Sequence, residues 1–280
     1  MSTVVQGILL AVIGVLLFGL IIFIHEFGHF FTAKLSHVCV NEFSIGMGPK
    51  LLSFGKGETK YSLRLIPMGG YVQMEGEDEA SEDERAFNQK PVWKRFLVVI
   101  AGAVMNIILG LVLVAILLTQ QNLIGTTQIA GFHENASSQS SGLQEGDVIT
   151  HINGTSVWSD RDISFLMARD RDGVIDFTVK RDGQKTELKN VKFDTREVDG
   201  QTVITFDFII IGENKTFWNV LKTSFLETAS MARLVWLSLF DLVTGRFGLS
   251  DLAGPVGTVS VIAEATTSGG FLNALSLMAF

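Results

Sequence analysis

The feature that most constrains this chain is an apolar run, Val4 to Ile24, that leads without a break into His25-Glu26-Phe27-Gly28-His29. About 20 apolar residues are enough to cross a bilayer as an α-helix. A secretory signal would start with basic residues and end at a small-residue cleavage site, and this run has neither. The segment 1–37 is therefore interpreted as a retained first transmembrane helix that ends in three ionisable side chains.

Composition supports a membrane protein with a soluble insert. The chain has 280 residues, of which 47% are hydrophobic and 18% charged, whereas soluble domains carry about 25% charged residues. The net charge of −7 provides no basic surface, which argues against nucleic acid as a partner. The single cysteine, Cys39, cannot form an internal disulfide and is far from a cysteine-rich zinc module.

A second apolar run predicts another transmembrane helix over 96–118. The segment between the two runs, 30–95, holds nine Lys or Arg residues, and neither the N-terminus nor 119–128 holds any. Positively charged loops stay in the cytoplasm. We therefore expect a multi-pass protein of the cell membrane whose N-terminus and residues 119–208 lie outside the cytoplasm.

The loop between the spans divides into two parts. Residues 38–75 contain alternating stretches such as Lys60–Ile66, with turn signals at Gly46 and Pro67–Gly70, which favour β-strands. Residues 76–95 start with an acidic stretch and are predicted to be a cytoplasmic linker.

The region after the second span is predicted to be a mainly β domain, 119–208. Gly142–Asp147 has turn chemistry, Val148–Ile152 is typical of a strand, and Asn153-Gly154 is a strong hairpin turn.

The last part of the chain is assigned to the membrane. Residues 209–250 are predicted to be a third membrane helix region, although Lys222, Glu227, Arg233 and Asp241 weaken this assignment and should face protein or water. Residues 251–280 are interpreted as the start of a C-terminal membrane region. Their final apolar run is about half the length of a span, so the chain is expected to be truncated.

His25, Glu26 and His29 fit H-E-x-x-H. Four residues along a helix return a side chain to within about 40° of the same face, about 6 Å further along. Two imidazoles so placed can bind one Zn²⁺, and Glu26 can take a proton from a water that the metal activates. A catalytic zinc needs a third protein ligand. The alternative is a helix end whose polar side chains simply reach water.

The order of the motifs resembles the site-2 protease family, intramembrane zinc metalloproteases of peptidase family M50. The closest resemblance is to the bacterial enzymes of regulated intramembrane proteolysis that have one PDZ domain. Besides H-E-x-x-H, the motifs are Phe43–Pro49, Arg64–Val72, Ala101–Asn106, Gly142–Gly154 and Leu252–Pro255. The resemblance implies an α-helical polytopic membrane protein with a membrane-associated β-segment and an inserted α+β PDZ domain.

The resemblance also implies the roles of single residues. His25 and His29 would bind Zn²⁺, and Glu26 would be the catalytic base. In the family the third ligand is an Asp in an Asn-x-x-Pro-x-x-x-Leu-Asp-Gly stretch, which this chain lacks; Asp241 and Asp251 do not match it.

Asn106 would lie near the active site and hold the substrate backbone or a transition-state oxygen. Ala103 replaces the usual Pro of this motif and leaves Asn106 in register. The alternative for Asn106 is a hydrogen bond between helices, worth about 0.6 kcal/mol in membranes.

The implied function is cleavage of single-span membrane proteins, such as anti-sigma factors and signal-peptide remnants, at the bacterial cell membrane. The β-segment would pair with an unwound substrate, or else be a solvent-facing hairpin. The PDZ-like domain would capture a peptide ligand, filter substrates by size, or act as a spacer. Two other classes stay open: a non-catalytic membrane-anchored PDZ adaptor or inactive fragment without the third ligand, and, less favoured, a metal transporter.

Overall fold

The structure is a computed structural model that describes residues 3–55, 57–170, 172–198 and 201–244. The predictions for 251–280, including Leu252–Pro255, lie outside the described residues. The chain forms two compact units, which divide between Leu113 and Val114. Each unit is described by itself.

Two long helices carry the predicted membrane spans. Helix α1 covers Thr3–Leu35 and helix α2 covers Val92–Gln120. Within the described residues, Val12–Leu35 and Val92–Gln120 are long and apolar enough to cross a bilayer. Helix α1 therefore continues past the zinc motif by almost two turns, so the motif lies within a helix rather than at its end.

The predicted β-segment is a long antiparallel hairpin of β1 (Val40–Phe54) and β2 (Lys60–Met74). Gly46 has φ +84°, and a Cβ there would lie 2.5 Å from the Ile66 carbonyl oxygen, so only glycine fits at this point of the pairing. The register shifts repeatedly along the ladder, which bends the hairpin.

The two halves of this hairpin have different surroundings. At its base, Val40, Phe43, Val72 and Met74 form a buried cluster with Ala33 of α1 and Val98 of α2. The other half exposes large apolar side chains to between 38% and 66%: Ile45, Met47, Leu51, Leu52, Phe54, Leu63, Leu65 and Ile66. The hairpin is thus anchored on the helices and presents an apolar surface beyond them.

The second unit contains a mixed domain built on one sheet. Its strands are β3 (Ile124–Phe132), β4 (Val148–Ile152), β5 (Thr155–Ser156), β6 (Val174–Arg181), β7 (Gln184–Lys192) and β10 (Phe208–Glu213). The order is β10-β3-β4-β6-β7, with β5 paired to β4. Strands β8 (Thr195–Val198) and β9 (Gln201–Ile204) form a separate hairpin.

Several local predictions can be compared directly with this domain. Strand β4 has the predicted bounds Val148–Ile152, and Asn153 and Gly154 both have positive φ, as a type I′ hairpin turn requires. Strand β10 extends to Glu213, past the expected end of the domain at 208, because it completes the sheet by pairing with β3.

Three helices accompany the sheet: α3 (Ser137–Ser140), α4 (Asp160–Ala168) and α5 (Phe217–Val243). Helix α4 covers the apolar core, to which it contributes Ile163, Leu166 and Met167. Helix α5 coincides with the predicted third membrane region, but it is not among the candidate spans found in the described residues. Glu227 and Asp241 are buried and pair with Arg161 of α4 and with Arg169 just after it, and Arg233 pairs with Asp162 of α4. Lys222 is exposed.

Candidate metal centre

Within α1, His25 and His29 lie on successive turns and contact each other. The Nε2 atoms of His25 and His29 are 3.3 Å apart, and the two rings meet edge to face. Two ligands held at about 2.0–2.1 Å from a tetrahedral ion lie about 3.3–3.4 Å apart. The spacing of these nitrogens therefore fits a pair of zinc ligands without any movement of the helix.

The other nitrogen of each ring is held by α2. The Nδ1 atom of His29 donates to the carbonyl oxygen of Val98 at 2.8 Å, since a carbonyl oxygen can only accept. The Nδ1 atom of His25 lies 3.3 Å from Nδ2 of Asn106. Imidazoles that bind metals are usually oriented by such a contact at the second ring nitrogen.

Two glycines let the helices approach closely enough for these contacts. A Cβ on Gly102 would lie 2.4 Å from Nε2 of His29 and 2.7 Å from Nε2 of His25. A Cβ on Gly28 would lie 2.5 Å from the carbonyl oxygen of Ala101. Small residues at helix contacts are typical of membrane proteins. Gly102 therefore leaves the space in which the two imidazoles meet.

Glu26 and His25 border a cavity of about 380 Å³. The other lining residues come from α1, from both strands of the hairpin and from α2: Ile21, Ile22, Met47, Gly69, Gly70 and Asn106. A Cβ on Gly70 would lie 3.0 Å from Cγ of Glu26. The β2 backbone thus lies directly against the carboxylate that the sequence singles out, so a peptide held along β2 would pass Glu26.

A polar cluster stabilises the same hairpin. The carboxylate of Glu42 is buried and pairs with Lys50 at 2.8 Å and with Arg64 at 3.2 Å, while Arg64 also donates to the hydroxyl of Tyr71. Burial alone would raise the pKa of Glu42, but the hydrogen bonds to its carboxylate, of which that from Lys50 has the largest effect, outweigh burial and lower the pKa to about 2.

The structure brings His25, Glu26, His29 and Asn106 together. In the described part of the chain no group of three or more His, Cys, Asp or Glu side chains is placed to hold a metal ion. Asp241 is engaged elsewhere, since both of its carboxylate oxygens accept from Arg169. The described residues therefore supply two of the three protein ligands that a catalytic zinc needs.

Three contributors to the site are not identified by the motif analysis. Gly70 and Gly102 allow neighbouring elements to approach closely, and Val98 contributes only its backbone oxygen. The glycines belong to motifs that are visible in the sequence. Nothing in the side chain of Val98 signals its contact with His29.

Comparison with known proteins gives consistent matches along almost the whole chain. The model of the family described as Peptidase family M50 matches residues 13–280. A Clostridium acetobutylicum protein named "Putative zinc metalloprotease" is 39% identical over 270 residues, which cover 96% of this chain and 78% of that protein. The Bacillus subtilis protein named "Regulator of sigma-W protease RasP" is 26% identical over 348 residues, covering 95% of this chain and 82% of the relative.

Proposed function

The chain belongs to peptidase family M50, the site-2 protease family of zinc metalloproteases, and we propose that it cleaves membrane proteins within or next to the bilayer. The observation that carries this proposal is the pair of Nε2 atoms 3.3 Å apart on a helix apolar enough to span a membrane. Ionisable groups within a membrane-spanning helix are costly unless they bind something or line a water-filled cavity. Here they border a cavity that also contains Glu26.

In the proposed mechanism His25 and His29 would hold the zinc ion through Nε2. Zinc would polarise the scissile carbonyl and lower the pKa of a bound water towards about 7. Glu26 accepts a proton from the attacking water and then delivers it to the leaving nitrogen. Val98 and Asn106 orient the two imidazoles, and Gly102 leaves them room.

The hairpin has a proposed role in presenting the substrate. A transmembrane helix satisfies its backbone groups internally, so its peptide bonds must be unwound before they can be cut. An extended segment can pair with a strand edge. The backbone of β2 at Gly69 and Gly70 borders the cavity, which supports β2 as that edge. The exposed apolar half of the hairpin favours contact with lipid over contact with water.

The domain in the second unit is proposed to be a PDZ domain on the extracytoplasmic side. Its two outer strands, β10 and β7, are the edges at which a peptide could add to the sheet. The alternative is a size filter that rejects substrates whose outer part has not been trimmed. We propose single-span proteins as substrates, including anti-sigma factors and signal-peptide remnants, processed by regulated intramembrane proteolysis at the bacterial cell membrane.

A second candidate function is a membrane-anchored adaptor without catalysis. It is favoured by the set of two rather than three ligands in the described residues. An adaptor would contain no stoichiometric zinc, whereas the protease requires one ion per chain.

The proposal is tested by expressing the protein and its Glu26→Gln variant with a tagged single-span membrane substrate, and by measuring the zinc content of each purified protein. We expect the variant to keep zinc and to lose cleavage by about 100-fold or more, because a general base contributes about 10²–10⁴-fold. Glu79, exposed in the acidic linker, provides the matched control: Glu79→Gln should cut like the wild type. Equal cleavage by both proteins, or a wild type without zinc, contradicts the proposal.

A further inference from the structure

The amide of Asn106 is the least satisfied group of the site. Its Nδ2 atom lies 3.3 Å from Nδ1 of His25, and its Oδ1 atom is buried without a hydrogen-bond partner among the described residues. A buried acceptor without a partner costs about 1–3 kcal/mol. In this orientation the amide donates to His25, so Nδ1 of His25 must be the unprotonated nitrogen.

That orientation places the His25 proton on the wrong atom for binding a metal. A neutral imidazole has one protonated nitrogen and one lone pair. If Nδ1 accepts from Asn106, the proton is on Nε2, the atom that faces His29 across 3.3 Å. A protonated Nε2 has no lone pair to offer.

His29 shows the opposite arrangement. Its Nδ1 faces the carbonyl oxygen of Val98, which can only accept, so the proton is fixed on Nδ1 and Nε2 has a free lone pair. A backbone carbonyl therefore fixes His29 in the tautomer that can bind a metal. The tautomer of the other depends on which end of the Asn106 amide faces it.

Building on the proposed function, we propose that Asn106 is a positioning residue whose Oδ1 accepts the Nδ1–H of His25 and so leaves both Nε2 lone pairs facing each other. The oxygen and nitrogen of an amide have nearly the same size, so a half-turn of the amide exchanges them in place. The exchange gives the buried oxygen its partner. The amide nitrogen then takes the buried place of the oxygen, where it has no partner among the described residues until a substrate oxygen in the adjoining cavity accepts from it.

Two substitutions separate this role from substrate binding. Asn106→Asp keeps an acceptor oxygen but removes the amide N–H, and Asn106→Leu has a similar volume and no acceptor. We expect Asn106→Leu to weaken zinc binding by about 10–100-fold, as is typical when the residue that orients a ligand is removed, and Asn106→Asp to bind zinc like the wild type. The measurement is the zinc dissociation constant of the full chain in detergent, by competition with a chelator.

The controls make each outcome decisive. Val104→Leu, at an exposed position of α2, should leave zinc affinity unchanged, and the helix content of every variant should match the wild type. Zinc binding by Asn106→Leu at the wild-type level overturns the inference, and so does equal loss in both Asn106 variants. A folded wild type that binds no zinc contradicts the proposed function itself, and the inference with it.

Discussion

The two units of this molecule bury polar side chains for opposite purposes. Around the zinc motif, the Nε2 atoms of His25 and His29 face each other, and the Asn106 oxygen has no partner among the described residues. In the second unit the buried carboxylate of Asp162 receives the backbone N–H groups of Trp158 and Ser159, a hydrogen bond from Ser230, and Arg233 at 3.0 Å.

This contrast separates polar groups that can bind a ligand from polar groups that hold a fold together. A carboxylate with four partners has no capacity left for an external ligand, and removing one partner leaves a buried charge uncompensated. The Nε2 atoms of His25 and His29 hydrogen-bond to each other at 3.3 Å, and a metal ion can take the place of the proton between them. Hydrogen-bond satisfaction therefore separates the carboxylate of Asp162 from the amide oxygen of Asn106.

The sharpest test of the contrast is Gly102→Ala. The added Cβ would lie 2.4 Å from Nε2 of His29 and 2.7 Å from Nε2 of His25, so the two imidazoles must move from these positions. We expect zinc affinity to fall by about 100-fold or more and cleavage to be lost, with little change in the stability of the second unit. Zinc content and substrate cleavage are the measurements.

Gly131→Ala is the matched control for this substitution. Nothing lies within 4 Å of a Cβ at Gly131, which belongs to β3. Zinc binding should be unchanged in this variant. If Gly102→Ala also binds zinc normally, the space between the imidazoles is not what the glycine provides.

The converse test removes a satisfied charge. Asp162→Ala leaves Arg233 without its carboxylate and removes the acceptor of the Ser159 N–H at the start of α4, so we expect a loss of about 3–5 kcal/mol in the free energy of unfolding of the second unit. Zinc affinity should stay at the wild-type value. Denaturant unfolding followed by tryptophan fluorescence measures the loss.

An exposed ion pair is the control for this prediction. Lys185 and Glu187 pair at 3.2 Å with both side chains more than half exposed. Glu187→Ala should therefore cost less than about 1 kcal/mol. A similar loss in the free energy of unfolding for both substitutions would show that burial does not make the loss of Asp162 more destabilising.

Local patterns predicted the parts of this structure that depend on few neighbours. The apolar runs predicted α1 and α2, the Asn153-Gly154 pair predicted its turn, and the four-residue spacing predicted that His25 and His29 share one face. The clearance at Gly102 and the carbonyl of Val98 depend on how two helices pack, which no local pattern encodes.

Helix α5 shows a second limit of sequence analysis. Its charges were expected to face protein or water: Glu227, Arg233 and Asp241 pair with other side chains and Lys222 is exposed, but no local pattern indicates which residues they pair with. Glu227 lies 3.1 Å from Arg161, and Asp241 pairs with Arg169 at 2.7 Å. These partners are 66 and 72 positions apart along the chain, so only the folded domain brings them together.

Glu227 provides the smallest and most specific prediction. Burial raises the pKa of Glu227 to about 7, because the attraction of Arg161 does not offset desolvation and the nearby carboxylates of Asp160 and Asp162. The contact with Arg161 is an ion pair without hydrogen-bond geometry. Unlike Asp162, Glu227 is a buried carboxylate with an oxygen that has no hydrogen-bond partner among the described residues.

The sign of the pH dependence follows from that raised pKa. Between about pH 4.5 and pH 7 the folded state holds a proton that the unfolded state has released, so stability falls as pH rises through this window and levels off above it. The difference amounts to at most about 3 kcal/mol, at 1.36 kcal/mol for each unit of pKa. Hydrogen exchange of the α5 amides, corrected for intrinsic rates, should show protection decreasing across this range. Glu227→Gln cannot ionise and should remove that dependence, whereas a slope that survives the substitution would assign it to another group.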